Sequence, residues 1–172
     1  MSVKDEVVSR LNELGIPFEL AEHEPIYTME ECAHCSRPMA GVIPKNLFLS
    51  PRNHSSFHLL LVRPDAVYRT ADISKQLGVS RLSFGPSEKL YEYLQTLPGA
   101  ISPMGLLFDE EKKVHLAVDS ALRQVPRLGF HPCVNTMSLA MSGEDFFGKF
   151  LPALEIEPAF VEIHDFKHED EV

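Results

Sequence analysis

Cysteine is scarce in this chain: three in 172 residues are too few, and odd in number, for a disulfide scaffold, and they fit a reducing compartment. Long apolar runs are missing as well. No window approaches the roughly 18 consecutive apolar residues of a membrane-spanning helix, so no membrane partner is expected. The opening Met1-Ser2-Val3-Lys4-Asp5-Glu6 carries charge where a secretory signal has its apolar stretch, so the expected location is cytoplasmic. Biased tracts are lacking: 9 glycines and 13 prolines are spread along the chain, which excludes collagen-like and mostly disordered classes. Positive charge is in deficit, 16 basic against 25 acidic residues for a net −9, which argues against nonspecific duplex binding and leaves no DNA partner expected. No Gly-x-Ser-x-Gly elbow, phosphate-binding Walker loop, dinucleotide glycine fingerprint or His-Glu-x-x-His appears, so the common nucleophile and nucleotide templates are absent.

What is present is a chain 44% hydrophobic and 24% charged, of a size that buries one core. One domain is expected over residues 1–160. Residues 161–172 read as an acidic C-terminal tail with five acids and one lysine, net −4, which leaves −5 on the rest. Ser2 is placed to cap a first helix carrying Val3, Val7, Leu11 and Leu14 at helical spacing, with Gly15 ending it. Ile16 to Leu20 alternates as a short strand, and Thr28-x-x-Glu31 has the form of a capping box for a helix ending before Pro38. The apolar runs 45–49 and 56–62 flank the turn-rich Pro51 to Ser55 and predict a hairpin of central strands. A helix over 70–77 closed by Gly78, a strand over 81–84, and a helix capped by Ser87 through Leu94 follow. Strands near 105–108 and 114–118, a further strand over 135–141 and a last helix from Ser142 through Leu151 complete the reading. Helices and strands mix without strict βαβ alternation. The expected class is therefore α/β of the mixed α+β kind, a central mixed, largely antiparallel sheet with helices packed around it.

Four short segments could carry chemistry. Cys32-Ala33-His34-Cys35 has metal or redox spacing, but zinc wants about four ligands and no second cysteine pair exists; His23 and Cys133 could complete a set, but nothing in the sequence brings them close, and no metal or cofactor is expected. Lys45-Asn46 heads an apolar strand, where a lysine is most often a snorkelling surface residue. Gly99-Ala100-Ile101-Ser102-Pro103 follows a Pro-Gly break; it is either a plain turn or a loop whose N–H groups bind a carbonyl or phosphate oxygen. His131-Pro132-Cys133-Val134-Asn135-Thr136 precedes a strand. The five basic residues Arg63, Arg69, Lys75, Arg81 and Lys89 stand against three acids, net +2, and read either as ordinary solvated charge or as a phosphate-facing surface.

These segments occur in order with His23-Glu24-Pro25-Ile26-Tyr27-Thr28-Met29-Glu30-Glu31, Lys45-Asn46-Leu47-Phe48-Leu49, Lys75-Gln76-Leu77-Gly78 with Arg81-Leu82-Ser83-Phe84, and Pro98 to Leu106. In that combination the chain resembles the YbaK/prolyl-tRNA-synthetase-associated domain family, and within it the free-standing ProX-type (PrdX-like) aminoacyl-tRNA editing proteins. The resemblance runs from the first helix to about Leu154 and implies that family's mixed α/β fold. It also implies hydrolysis of the ester of a mischarged tRNA, for the ProX type usually alanyl-tRNA(Pro). The implied partner is the acceptor end of tRNA(Pro), with prolyl-tRNA synthetase as a second candidate. Carried over by motif, Lys45 is the key catalytic-site residue, with His131 and Asn46 beside it; Gly99, Ala100, Ile101, Ser102, Pro103, Tyr27, Thr28 and Asn135 are the substrate-binding candidates. Pro44 and the Cys32/Cys35 pair depart from the commoner pattern.

An aminoacyl ester is already activated, so a deacylase mainly places water, stabilises the oxyanion and excludes competitors, without a serine or cysteine nucleophile. Lys45 as an ammonium suits the electrostatic role. The resemblance adds that the substrate's terminal ribose hydroxyl takes part in activating water. A pocket sized for a methyl group rejects the proline ring by clash. Two other readings remain at this stage: a noncatalytic module sensing charged tRNA or a free amino acid, and a cysteine-based metal or redox protein.

Overall fold

The computed structural model describes residues 2–22, 41–131, 133 and 137–164. Helix α1, Val3–Glu13, starts where expected because the Ser2 hydroxyl accepts the Asp5 N–H, and the chain leaves it through Gly15 at φ +71°, a left-handed turn that glycine adopts without strain. Val7 and Leu11 bury its inner stripe. Among the described residues eight strands follow in two sheets. The smaller sheet has the order β1-β7-β6, with β1 Glu19–Glu22, β6 Arg127–Phe130 and β7 Met137–Ser142, all antiparallel. The larger has the order β4-β2-β3-β5-β8, with β2 Lys45–Pro51, β3 Phe57–Val62, β4 Leu82–Phe84, β5 Val114–Asp119 and β8 Ala159–Val161. β4, β2 and β3 run antiparallel, while β5 and β8 add in parallel. Val42 bridges to Leu128 and connects the two sheets.

The predicted hairpin forms, and its apolar continuity has a physical cause. Phe57, Leu59 and Leu61 of β3 face a larger core that includes Leu11, Phe48, Leu94, Met104, Phe130, Cys133 and Phe146. Leu60 and Val62 face a smaller one with Leu49, Ile73, Leu82, Ala117 and Val161. Every β3 residue is buried, so both sides of the pleat must be apolar, and each such leucine contributes about 2 kcal/mol of burial. Helix α2, Thr70–Leu77, covers the smaller core and ends at Gly78, φ +70°; Ser74 Oγ, inside it, accepts the Leu82 N–H and fixes the start of β4.

Several expectations are corrected. The strand expected over Ile16–Leu20 forms over Glu19–Glu22, because Ile16 is spent packing against α1 in the larger core. Helix α3, Ser87–Leu94, begins after an N-cap at Pro86, so Ser87 is its first residue and not its cap. The strand expected near 105–108 is a 3-10 helix, Pro103–Phe108: Pro103 sets a helical φ at the first position, and Ser102 Oγ accepts the Met104 N–H. The last helix opens at Ser142 as expected, but Phe146–Phe150 are π-helical because Pro152 has no N–H to continue an α ladder. Strands β6 and β8 are additions, and Val161, the last residue of β8, is 1% exposed. The helix expected after Thr28 lies outside the described residues. Among the described residues no helix is long and apolar enough to cross a membrane.

Candidate active site

Lys45 and Asn46 occupy the first two positions of β2, opposite Val62 and Leu61 of β3. Strand alternation sends them to different faces. Asn46 shares a face with Phe48 and the larger core, whereas Lys45 shares one with Leu47 and Leu49, which pack on the smaller core. The Lys45 ammonium donates to Ala66 O at 3.1 Å and stands 6.0 Å from the Tyr68 ring centroid. Asn46 Nδ2 donates to Pro44 O at 3.1 Å, which holds the amide against the turn before the strand; Asn46 Oδ1 is buried without a hydrogen-bond partner among the described residues. An unsatisfied buried acceptor costs about 1–3 kcal/mol, so Oδ1 is held ready for a donor.

The 63–68 turn that receives the lysine is anchored from below. Asp119, 1% exposed at the end of β5, accepts Arg63 N at 3.1 Å, Arg63 Nε at 2.8 Å and Ala121 N at 3.0 Å. Ala66 N then donates to Arg63 O at 3.0 Å, which closes the turn and aims Ala66 O at Lys45. Tyr68 packs half-buried on the smaller core, and that burial raises its phenol pKa, so the ring stays neutral at working pH.

Gly99 and Ala100 belong to the 3-10 turn Pro98–Ala100, whose end is tied down when Thr96 Oγ1 donates to Ala100 O at 2.8 Å. Ile101 is half-buried against the larger core, while Ser102 and Pro103 are buried. Ser102 Oγ is spent on the Met104 N–H, so its structural role is to start the following 3-10 helix. His131 is 9% exposed and its Nδ1 lies 3.0 Å from Met137 O. A carbonyl only accepts, so Nδ1 carries the hydrogen and donates it to Met137 O. Cys133 Sγ lies 3.9 Å from Leu94 O, at the end of α3, and burial pushes its thiol up to about 12. It is protonated at neutral pH and is no nucleophile.

The structure thus joins the 96–105 loop and the 131–133 segment at Leu94: Cys133 bonds its carbonyl, and Gly105 lies so close that an added Cβ would stand 2.6 Å from the same oxygen. Asn46 opens onto that larger core, but the Lys45 hydrogen bond goes to the 63–68 turn across the sheet and not to His131 or the glycine loop. Tyr27, Thr28 and Asn135 lie outside the described residues, as do His23, Cys32, His34 and Cys35. Among the described residues no group of three or more His, Cys, Asp or Glu side chains could hold a metal. Of the five basic residues over 63–89, Arg63 is committed to Asp119 and Lys89 to Glu92, while Lys75 and Arg81 stand exposed. Sequence reasoning missed Asp119 and Tyr68; an acid closing the apolar run Val114-His115-Leu116-Ala117-Val118 was the one available signal, since a buried carboxylate demands partners.

Comparison with known proteins gives a consistent picture. The family described as the aminoacyl-tRNA editing domain matches residues 23–148. The chain is similar to the prolyl-tRNA editing protein ProX of Acetoanaerobium sticklandii, 32% identical over 145 residues that cover 84% of this chain and 88% of that protein. It is similar to the mouse prolyl-tRNA synthetase associated domain-containing protein 1, 31% identical over 148 residues covering 84% and 87% of the two chains. Its fold is like that of a solved candidate trans-editing enzyme for prolyl-tRNA synthetase, TM-score 0.69 at 16% identity, covering 95% of this chain and 99% of that one.

Proposed function

The chain belongs to the aminoacyl-tRNA editing domain family, and from that premise we propose that it removes alanine from mischarged tRNA(Pro), with Lys45 as the principal charge in the site. It is an aminoacyl-tRNA deacylase that acts in trans on a tRNA bearing the wrong amino acid. The observation that carries the finer reading is the head of β2, where a cation and an unsatisfied amide oxygen stand side by side on opposite faces of one strand. Water attacks the ester carbonyl; the carbonyl oxygen takes negative charge, and collapse of the tetrahedral species expels the ribose oxygen, which is protonated to the free hydroxyl. An ammonium has three donors, of which one is spent on Ala66 O, so Lys45 retains two for a phosphate of the acceptor end. Asn46 Oδ1 accepts from the substrate's amino group on the other face. His131, held through Nδ1, orients substrate, and the Gly99–Pro103 loop contributes backbone N–H groups and the wall that a proline ring would strike.

Purified protein incubated with labelled alanyl-tRNA(Pro), prolyl-tRNA(Pro) and seryl-tRNA(Pro) tests this. Release of alanine that is fastest of the three and is lost in Lys45→Ala is the expected result. Tight binding of the charged tRNA without turnover would identify a sensor instead, and release independent of Lys45 would remove the lysine from the site.

A further inference from the structure

The division of β2 into two faces implies a division of the substrate. An aminoacyl-tRNA end has two parts joined at the ester: a small aminoacyl group, and a terminal ribose with its phosphate and purine base. Asn46 lies on the strand face it shares with Phe48 of the larger core, the side left for the small group, while the Lys45 ammonium lies on the other side of the sheet with Ala66 and Tyr68. A cation placed there meets the phosphate-bearing part, and beside a phosphate the base needs a flat apolar surface.

We propose that Tyr68 is the stacking platform for the purine of the substrate's terminal adenosine, with Lys45 holding the adjoining ribose-phosphate. The inference rests on the deacylase reading above and adds a recognition site to it. Three features of the turn fit the role. The ring is half-buried against the smaller core with Leu47 as a neighbour in that layer, so it is held from one side. Its position is stiff, because Asp119 fixes Arg63 through backbone and side chain and Ala66 closes on Arg63. The Arg63 guanidinium, although paired, keeps 38% of its side-chain surface exposed on the same turn and adds positive potential where a backbone phosphate would lie. Stacking on an aromatic ring is tolerant of base identity, so it supplies grip at the 3′ end without selecting the amino acid. A neutral phenol also avoids placing negative charge next to a phosphate.

The test uses an uncharged acceptor-stem RNA hairpin whose 3′-terminal base is 2-aminopurine, with the full-length protein. Stacking quenches that fluorophore. The expected result is quenching by wild type, loss of quenching with affinity weakened about tenfold or more in Tyr68→Leu, and recovery of the quench in Tyr68→Phe, which keeps the ring. In the deacylation assay the Tyr68→Leu loss falls on KM rather than kcat. Circular dichroism of Tyr68→Leu verifies that the fold is intact, and the Phe variant carries the comparison if it is not. Absence of quenching by wild type, or equal quenching and KM in wild type and Tyr68→Leu, overturns the platform. Failure of wild type to release any amino acid while it still quenches the fluorophore overturns the deacylase reading and leaves the base site standing, so the two failures are distinguishable.

Discussion

Replacement of Asp119 by alanine tests the connection between the sheet and the lysine turn. The Asp119 side chain is 2% exposed and accepts two backbone N–H groups, those of Arg63 and Ala121, besides the Arg63 guanidinium. Alanine leaves both N–H groups without that acceptor, at about 1–1.5 kcal/mol each given that surface water reaches part of the turn. The Arg63 side chain is 38% exposed and its guanidinium rehydrates, so loss of the ion pair adds only about 0.5 kcal/mol. The expected destabilisation is therefore about 3 kcal/mol, a large share of the roughly 5–15 kcal/mol that holds a domain together. Urea unfolding should show the midpoint falling with an unchanged slope, and the thermal midpoint should drop by about 6–10 °C for a chain of this size. Asp119→Asn keeps one acceptor oxygen and should cost about 1 kcal/mol. Because the turn presents Ala66 O to Lys45, deacylation by folded Asp119→Ala should fall as well. An Asp119→Ala protein within 1 kcal/mol of wild type, or an asparagine variant as damaged as the alanine one, would refute the idea that this carboxylate anchors the turn.

Three further outcomes are expected. Gly105→Ala places a Cβ 2.6 Å from Leu94 O and 2.8 Å from Leu94 Cβ, and should cost about 2–3 kcal/mol in a urea titration; an unchanged midpoint would mean that the 96–105 loop is not pressed on α3. Lys45→Ala should lower deacylation about 100-fold or more while unfolding free energy moves by no more than about 1 kcal/mol, because one partly buried hydrogen bond is lost; equal loss of stability and activity would make the lysine structural. His58, pushed down to about 4 by burial first and by His115 second, resists a proton that the unfolded chain binds near 6.5. Its contribution is thus complete above pH 6.5 and is lost as pH falls toward 4, about 2 kcal/mol after allowance for water reaching the ring. Urea unfolding at pH 7.5 and 4.5 should show a drop that is smaller in His58→Asn, and an identical drop in both proteins would exclude His58 as its source.

The sequence was most legible where one local rule decides the outcome. Thr70–Leu77 shows helical spacing and then a glycine that takes the left-handed cap, and both occur as read. Apolar runs without period were less decisive. Gly105-Leu106-Leu107-Phe108 suits a buried strand as well as a buried helix by composition, and the choice is made by Pro103, Ser102 and the pressure of Gly105 against α3. Arg127–Phe130 is four residues beside a proline, too short to display alternation, and β8 shows only exposed Phe160 beside buried Val161. At the site, motif order selected Lys45 and Asn46 together. A period of two, already present in the sequence, separates them across the sheet, and the larger and smaller cores give those two faces different surroundings. The partners that give each residue its environment come from distant positions: Tyr68 and Ala66 from the loop after β3, Asp119 from the end of β5, Leu94 and Cys133 from α3 and the loop after β6. No local pattern marks such partners, because their meeting depends on β3 and β5 pairing in parallel register, with Leu61 beside Val118 and hence Arg63 within reach of Asp119. That register is what converts an apolar strand ending in an acid into the support of the turn that receives Lys45. A change that slips it would therefore disable deacylation without touching any residue that meets the substrate.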